Sequence, residues 1–156
     1  MSSIAAEVTT PLQIGGLLRL ALEEIRQRIY AGVSAAGFDD LRPSHTTLFR
    51  WPGPDGRRPT EVAADAQISK QRVNDLLRDL EERGYLRLGP DPSDSRARII
   101  KLTARGKRLH EAAIAAHAEV EAEWASSVGA RHYEALRSAL VAVTGARPTP
   151  GSPSTA

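Results

Sequence analysis

EVAADAQISKQRVNDLLRDLEERGYL, residues 61–86, is the stretch whose reading decides the fold. Two short helical patterns meet inside it. The first runs from about Pro59 to Ala66, with Val62, Ala63 and Ala66 as its apolar positions. Gln67 and Ile68 make a tight connection. Ser69 is the N-cap of the second, in which Val73, Leu76, Leu77 and Leu80 recur at i, i+3, i+4 and i+7. Gly84 stops it, because a glycine just past the last turn takes the left-handed conformation that closes a helix. Two short helices joined by about three residues form a helix-turn-helix pattern.

Downstream, Tyr85 to Leu88 reads as a short strand. GPDPSDSR (89–96) reads as a polar loop, and Ala97 to Leu102, with the β-branched pair Ile99 and Ile100, as a second strand. A hairpin directly after a helix-turn-helix is a wing, here residues 85–102. Thr103 then starts a long helix with Leu109, Ala113, Ala116, Val120 and Trp124 inward. A last helix, Ala130 to Thr144, carries Tyr133, Leu136, Leu140 and Val143.

Upstream, Thr10-Pro11-Leu12-Gln13 reads as a capping box with proline at the first helical position. Leu18, Leu22, Ile25, Ile29 and Val33 follow at helical spacing up to a stop at Gly37. A helix from Pro11 to Ala36 would be about 39 Å long at 1.5 Å per residue, which suits packing against a partner. Pro43 to Trp51 is a short helix closed by Pro52, and PGPDGRR (52–58) a turn-rich loop. The expected organisation is a disordered start at 1–10, one domain over 11–144, and a disordered Pro- and Ser-rich tail at 145–156. Within the domain, the terminal helical segments 11–36 and 103–144 flank a central lobe at 42–102. The fold class is mainly α with a small β hairpin.

Composition narrows the function. The 156 residues hold no cysteine, which excludes disulfides, thiolate metal sites and thiol redox sensing. No apolar run reaches the length of a membrane span, and MSSIAAEVTT lacks the basic and apolar regions of a signal peptide, so the expected location is the cytoplasm. There is no phosphate-binding glycine loop, no G-x-S-x-G and no H-E-x-x-H, so no enzyme, cofactor or metal site is expected. His110, His117 and Glu121 share one helix face but make too thin a ligand set. Residues 68–108 carry eleven Lys and Arg against six Asp and Glu. A basic centre between less basic ends calls for an anionic partner.

In a helix-turn-helix the second helix can enter the major groove of DNA with its first turns facing base edges. Those turns carry Ser69, Lys70, Gln71, Arg72, Asn74 and Arg78. The amides of Gln71 and Asn74 match adenine; Lys70 and Arg72 can reach guanine or phosphate; Ser69 can donate to a phosphate at the helix N-terminus. On the wing, Arg96 is the candidate for a narrow minor groove and Arg98 for the flanking backbone. Asp91 and Asp94 would repel DNA if they faced it, and are assigned to shaping the loop.

These residues resemble the MarR-type winged helix-turn-helix transcription regulators. EVAADAQISKQRVNDLLRDLEERGYL (61–86) and DPSDSRARIIKLTARG (91–106) carry the resemblance, the latter through spaced Asp and Arg, a strand, and an L-T-x-x-G helix start at Leu102 to Gly106. The resemblance implies a homodimer in which 11–36 and 103–144 are interlocked dimerisation helices, burying positions such as Leu18, Trp124 and Leu140, and 42–102 is the DNA-binding lobe. It implies double-stranded DNA with a pseudo-palindromic operator as partner, repression of nearby genes, and release by a small, often aromatic or phenolic effector. The effector cleft of such proteins lies between the dimerisation helices and the DNA-binding lobe, which points to Tyr30, His45, Phe49, Trp51 and His117. Three departures stand out: Gln67 where glycine is common in the turn, Asp75 where a basic or neutral residue is common on the second helix, and Ser95 where the wing often has arginine. The acids Asp75, Asp79, Glu81 and Glu82 keep a different reading open, a winged-helix protein-interaction adaptor that does not bind DNA.

Overall fold

A computed structural model describes residues 13–49 and 53–146. In chain order the elements are α1 (Ile14–Ala35), α2 (Pro43–Thr46) with a 3-10 turn at Thr47–Phe49, α3 (Pro59–Ala66), α4 (Lys70–Glu82), β1 (Leu86–Asp91), β2 (Asp94–Leu102), α5 (Ala104–Val128) and α6 (Ala130–Thr144). Thr10, Pro11, Trp51 and most of the tail lie outside the described residues, but Gln13, expected inside the first turn as part of a capping box, is the extended N-cap of α1 and makes no side-chain cap bond.

Helix ends are set by local chemistry. Three helices close in the same way. Gly37 and Gly84 take positive φ, and the following Phe38 and Tyr85 N–H groups donate back to Val33 O and Leu80 O at 3.3 and 2.9 Å. At the end of α3 the same six-to-one bond runs from Ile68 N–H to Ala63 O at 3.2 Å, but the left-handed residue is Gln67, with φ 54° and ψ 40°. Gln67 is the sole non-glycine with positive φ among the described residues. A side chain there costs on the order of 1 kcal/mol relative to glycine.

The junction between wing and α5 explains L-T-x-x-G. Thr103 caps α5, its hydroxyl oxygen accepting from Gly106 N–H at 3.1 Å while the hydroxyl donates to Gly84 O at 2.7 Å. A Cβ on Gly106 would run into the Tyr85 carbonyl oxygen, well inside van der Waals contact. The glycine is thus required by close approach of two backbones, not by its torsions. A second close approach joins α1 to α5, where a Cβ on Gly32 would meet Ala116 Cβ at 2.7 Å.

The core lies in the lobe and under its two covering helices. Val33, Leu48, Phe49, Val73, Leu77, Leu80, Tyr85, Leu86, Ile100 and Leu109 are all buried. The expected inward face of α4, Val73, Leu76, Leu77 and Leu80, is buried in full. Each such side chain contributes about 2 kcal/mol of transfer free energy.

One expectation needs correction. The wing strands are longer than the sequence pattern indicates: β1 runs on through Gly89, Pro90 and Asp91, leaving Pro92 and Ser93 as the turn. Proline is tolerated because this is an edge strand at a register break. The apolar face of α6 has no buried residue among those described; Leu136 and Val143 are 43% and 79% exposed. Leu18 and Leu22 of α1 are exposed as well. No other described residue covers these positions, although their spacing is that of a buried face.

Candidate nucleic-acid interface and effector cleft

The recognition helix α4 is held from behind and at its far end. Its buried stripe fastens it to the core. Near its C-terminus, Asp79 receives hydrogen bonds from the Arg42 guanidinium and, at 2.8 Å, from Arg83 Nε. These bonds, that of Arg42 first, hold the Asp79 carboxyl down at about 2. His45 is fully buried; its Nδ1 accepts from Arg42 N–H at 2.9 Å, and its Nε2 lies 2.8 Å from Asp79 Oδ2. Burial lowers the His45 pKa, favouring the neutral ring, against the opposing pull of Asp79. A parallel set ties Arg83, Arg105 and Tyr85 to Asp40: Arg83 Nη1 donates to Asp40 O at 2.6 Å, Arg105 Nη2 to Asp40 Oδ2 at 3.0 Å and Tyr85 OH to Asp40 Oδ1 at 2.5 Å. The C-terminal end of α4 is therefore tied to α2, to the loop after α1 and to the first turn of α5.

The opposite face of α4 is open. Ser69, Lys70, Gln71, Arg72, Asn74 and Arg78 are all exposed. Ser69 Oγ accepts the cap bond from Arg72 N–H at 3.1 Å, which leaves its hydroxyl proton free to donate. Asp75 shares this face, 3.9 Å from Arg78 Nη1 in an exposed pair that contributes little.

The wing is a two-stranded antiparallel hairpin with a built irregularity. Register runs evenly from Leu86↔Leu102 to Pro90↔Arg98, then jumps to Asp91↔Asp94. Ser95, Arg96 and Ala97 are left without partners across the hairpin, a bulge of three residues with exposed Arg96 at its middle. Bulges re-aim side chains. Asp91 shapes the turn: its Oδ1 accepts from Ser93 N–H at 2.8 Å and Ser93 Oγ at 2.7 Å, and its Oδ2 from Arg58 Nε at 2.7 Å. The bonds from Ser93, followed by that from Arg58, hold the Asp91 carboxyl at about 2. Asp94 Oδ1 accepts from Arg96 N–H at 3.0 Å. Arg98 Nη2 donates to Leu88 O at 2.9 Å, so this guanidinium braces β1.

Arg58 and its neighbours escape a reading of the sequence, which sees only a turn-rich loop there. Gly56 N–H donates to Ile100 O at 2.7 Å, Ile100 N–H to Arg57 O at 2.9 Å, and Leu102 N–H to Asp55 Oδ1 at 2.7 Å. This short segment pairs with the inner edge of β2 and, with Arg58, pins the wing to the lobe. Strand pairing across more than forty residues leaves no local signal.

A cleft of about 540 Å³ opens between α1 and the lobe. Tyr30 lines it, its hydroxyl donating to Leu41 O at 3.2 Å. Of the other residues assigned to an effector site, His45 and Phe49 are buried in the core and do not line the cleft, and Trp51 is outside the described residues. His117 lines a separate hollow of about 310 Å³ with Trp124 and Tyr133, between α5 and α6. The cleft instead takes in Arg26 and Gln27 of α1, Ile68 of the turn, and Arg72 and Leu76 of α4.

Among the described residues, no group of three His, Cys, Asp or Glu side chains could hold a metal ion, and no helix is long and apolar enough to cross a membrane.

Comparison with known proteins agrees with this architecture. Residues 52–97 match the profile of the MarR family. No curated protein matches the chain significantly. CouR from Rhodococcus jostii RHA1, solved with p-coumaroyl-CoA, superposes with a TM-score of 0.69 at 22% identity, covering 88% of this chain and 95% of its own. The repressor CouR on a 23-mer DNA duplex gives 0.67 at 24% identity, covering 86% and 99%. A MarR-family protein of Mycobacterium tuberculosis in complex with salicylic acid gives 0.64 at 25% identity, covering 87% and 99%. This chain has the winged helix-turn-helix fold of the MarR-family transcription regulators, and its residues 52–97 match that family in sequence.

Proposed function

We propose that this chain is a dimeric, sequence-specific DNA-binding regulator that represses nearby genes and is released by a small aromatic or phenolic effector. The observation that carries the reading is the divided character of α4. One face is buried in the core, while Lys70, Gln71, Arg72, Asn74 and Arg78 stand exposed beside a wing whose bulge presents Arg96. Gln71 and Asn74 read bases in the major groove; Lys70, Arg78 and Arg96 neutralise phosphates or enter a minor groove. Arg98, bonded to Leu88 O, supports the wing and contacts backbone only at its flank. The exposed apolar residues of α1 and α6 form the dimer interface, which spaces two recognition helices along one face of the duplex.

Similar structures support the partners: CouR has been solved on DNA and with p-coumaroyl-CoA, and the Mycobacterium tuberculosis protein with salicylic acid. The reading includes a cytoplasmic location and no enzymatic activity.

Binding to the DNA upstream of its own gene, measured across a salt series, tests this. Affinity should fall steeply with salt as counterions are released, and Arg96→Ala should lower the log–log slope by about one unit. A dimer that ignores DNA at low salt would point instead to a protein-interaction adaptor.

A further inference from the structure

The wing is fastened to the helix-turn-helix through carboxylates, the charge that a DNA-facing surface repels. A two-stranded hairpin is only marginally stable by itself, so its position depends on what grips it. At the tip the grip is Arg58, the residue before α3. Its Nε donates to Asp91 Oδ2 at 2.7 Å, and its Nη2 lies 3.8 Å from Asp94 Oδ2. Those two carboxylates hold the turn and the bulge, Asp91 Oδ1 accepting from Ser93 N–H and Asp94 Oδ1 from Arg96 N–H. A continuous run of polar contacts therefore leads from the start of α3 to the backbone of Arg96.

At the base the grip is Glu81 of α4. Its Oε1 accepts from Leu88 N–H at 3.0 Å, while Leu88 O accepts from Arg98 Nη2. Leu88 lies opposite Ile100, whose own N–H and C=O are taken by Arg57 and Gly56, so the polar groups of Leu88 point to the free edge of β1. An acid near the end of the recognition helix thus ties that helix directly to the wing.

We infer that Arg58 and Glu81 are positioning residues that fix the wing against α3 and α4, so that Arg96 and the open face of α4 meet DNA as one preorganised body. The inference rests on the DNA-binding reading above and adds how that surface is set. A wing ordered before contact has less freedom to lose on binding. It also holds constant the distance between the bases read in the major groove and the minor-groove site of Arg96.

The test is binding of the whole protein to the DNA upstream of its own gene across a salt series, with amide hydrogen exchange of the free protein beside it. Charge alone predicts that Glu81→Ala and Glu81→Gln tighten binding equally, since each removes one negative charge. Positioning separates them. The glutamine keeps a carbonyl oxygen for Leu88 N–H and should bind at least as tightly as the wild type, whereas Glu81→Ala should bind about threefold to tenfold more weakly, the ratio for one hydrogen bond. Arg58→Ala should lower the log–log slope by about one unit, and Arg96→Ala added to it should lower it no further. In the free protein, Arg58→Ala should speed exchange severalfold at Ser93 and Arg96, and Glu81→Ala at Leu88. Exchange at Val73 and Leu77 in the core should stay unchanged, which separates a loosened wing from a loosened fold. Glu81→Ala binding as tightly as Glu81→Gln overturns the inference, as does wing exchange that neither variant alters. So does a fall of about two units in the Arg58→Ala/Arg96→Ala double variant, which would mean that Arg58 meets a phosphate itself. A wild type that binds no DNA removes the regulator reading, and wing exchange then decides by itself whether the two grips hold.

Discussion

The lobe and the helical end of this chain solve the burial problem differently. In the lobe, the apolar stripes of α4, β1 and β2 meet α2, α5 and the end of α1, and the core closes within one chain. At the helical end the same periodicity leads nowhere. Ile14, Leu17, Leu18, Leu20 and Leu22 on α1, and Leu136, Val141 and Val143 on α6, are all at least two-fifths exposed. Isolated exposed leucines are ordinary, but eight large apolar side chains on two helices make a patch of the kind that marks an interface. The lobe is a finished module; the helical end is half of one.

The comparison breaks first at the helical end. Placing glutamate at both Leu17 and Leu136 should weaken self-association by at least about a thousandfold, since unpaired carboxylates buried in an interface cost several kcal/mol each. Sedimentation equilibrium reads it, and a wild type that is already monomeric contradicts the interface.

The junction between the regions comes next. Gly106→Ala puts a methyl group into the Tyr85 carbonyl and should cost on the order of 3 kcal/mol in denaturant unfolding. A loss below about 1 kcal/mol would mean that wing and α5 separate easily.

The lobe is also sensitive to acid. Asp79 and Asp91 titrate at about 2, below an unfolded carboxylate near 4. Their contribution is therefore complete above about pH 4 and is lost as pH falls toward 2, on the order of 1–2 kcal/mol for Asp79. Asp79→Asn should lower stability at neutral pH and flatten that acid limb. A limb of unchanged steepness would show that Asp79 does not hold α4.

The smallest effect sharpens the comparison in the opposite direction. Gln67→Gly should stabilise the lobe by about 0.5–1 kcal/mol by relieving a left-handed side chain, partly offset by the greater freedom of the unfolded chain. A loss of stability on thermal unfolding would assign Gln67 a contact worth more than its strain.

Much of the fold was legible because its signals are local. Ser69 and Thr103 cap helices through the third residue on, Gly37 and Gly84 close them, and the α4 stripe is a matter of spacing. The wing was legible only as a hairpin. Its strand lengths, the bulge around Arg96 and the pairing of residues 55–57 with β2 depend on partners across the sheet. The lining of the cleft was the least legible. Aromatic and histidine character singled out His45 and Phe49, which the core absorbs; Tyr30 does line it, and Arg72, which lines it too, reads in the sequence as a DNA contact.

By itself, then, the sequence determined the order of the elements, the caps of α4 and α5, the buried face of α4 and the exposed polar face opposite. All of these follow from interactions and spacings within a few helical turns of one segment. Only the tertiary structure decided that Gly106 is required by a carbonyl twenty-one residues upstream, that Asp79 anchors α4, and that Arg72, on the exposed face of α4, also lines the cleft. Those depend on which distant backbones approach closely, and contacts of that kind leave no periodicity to read.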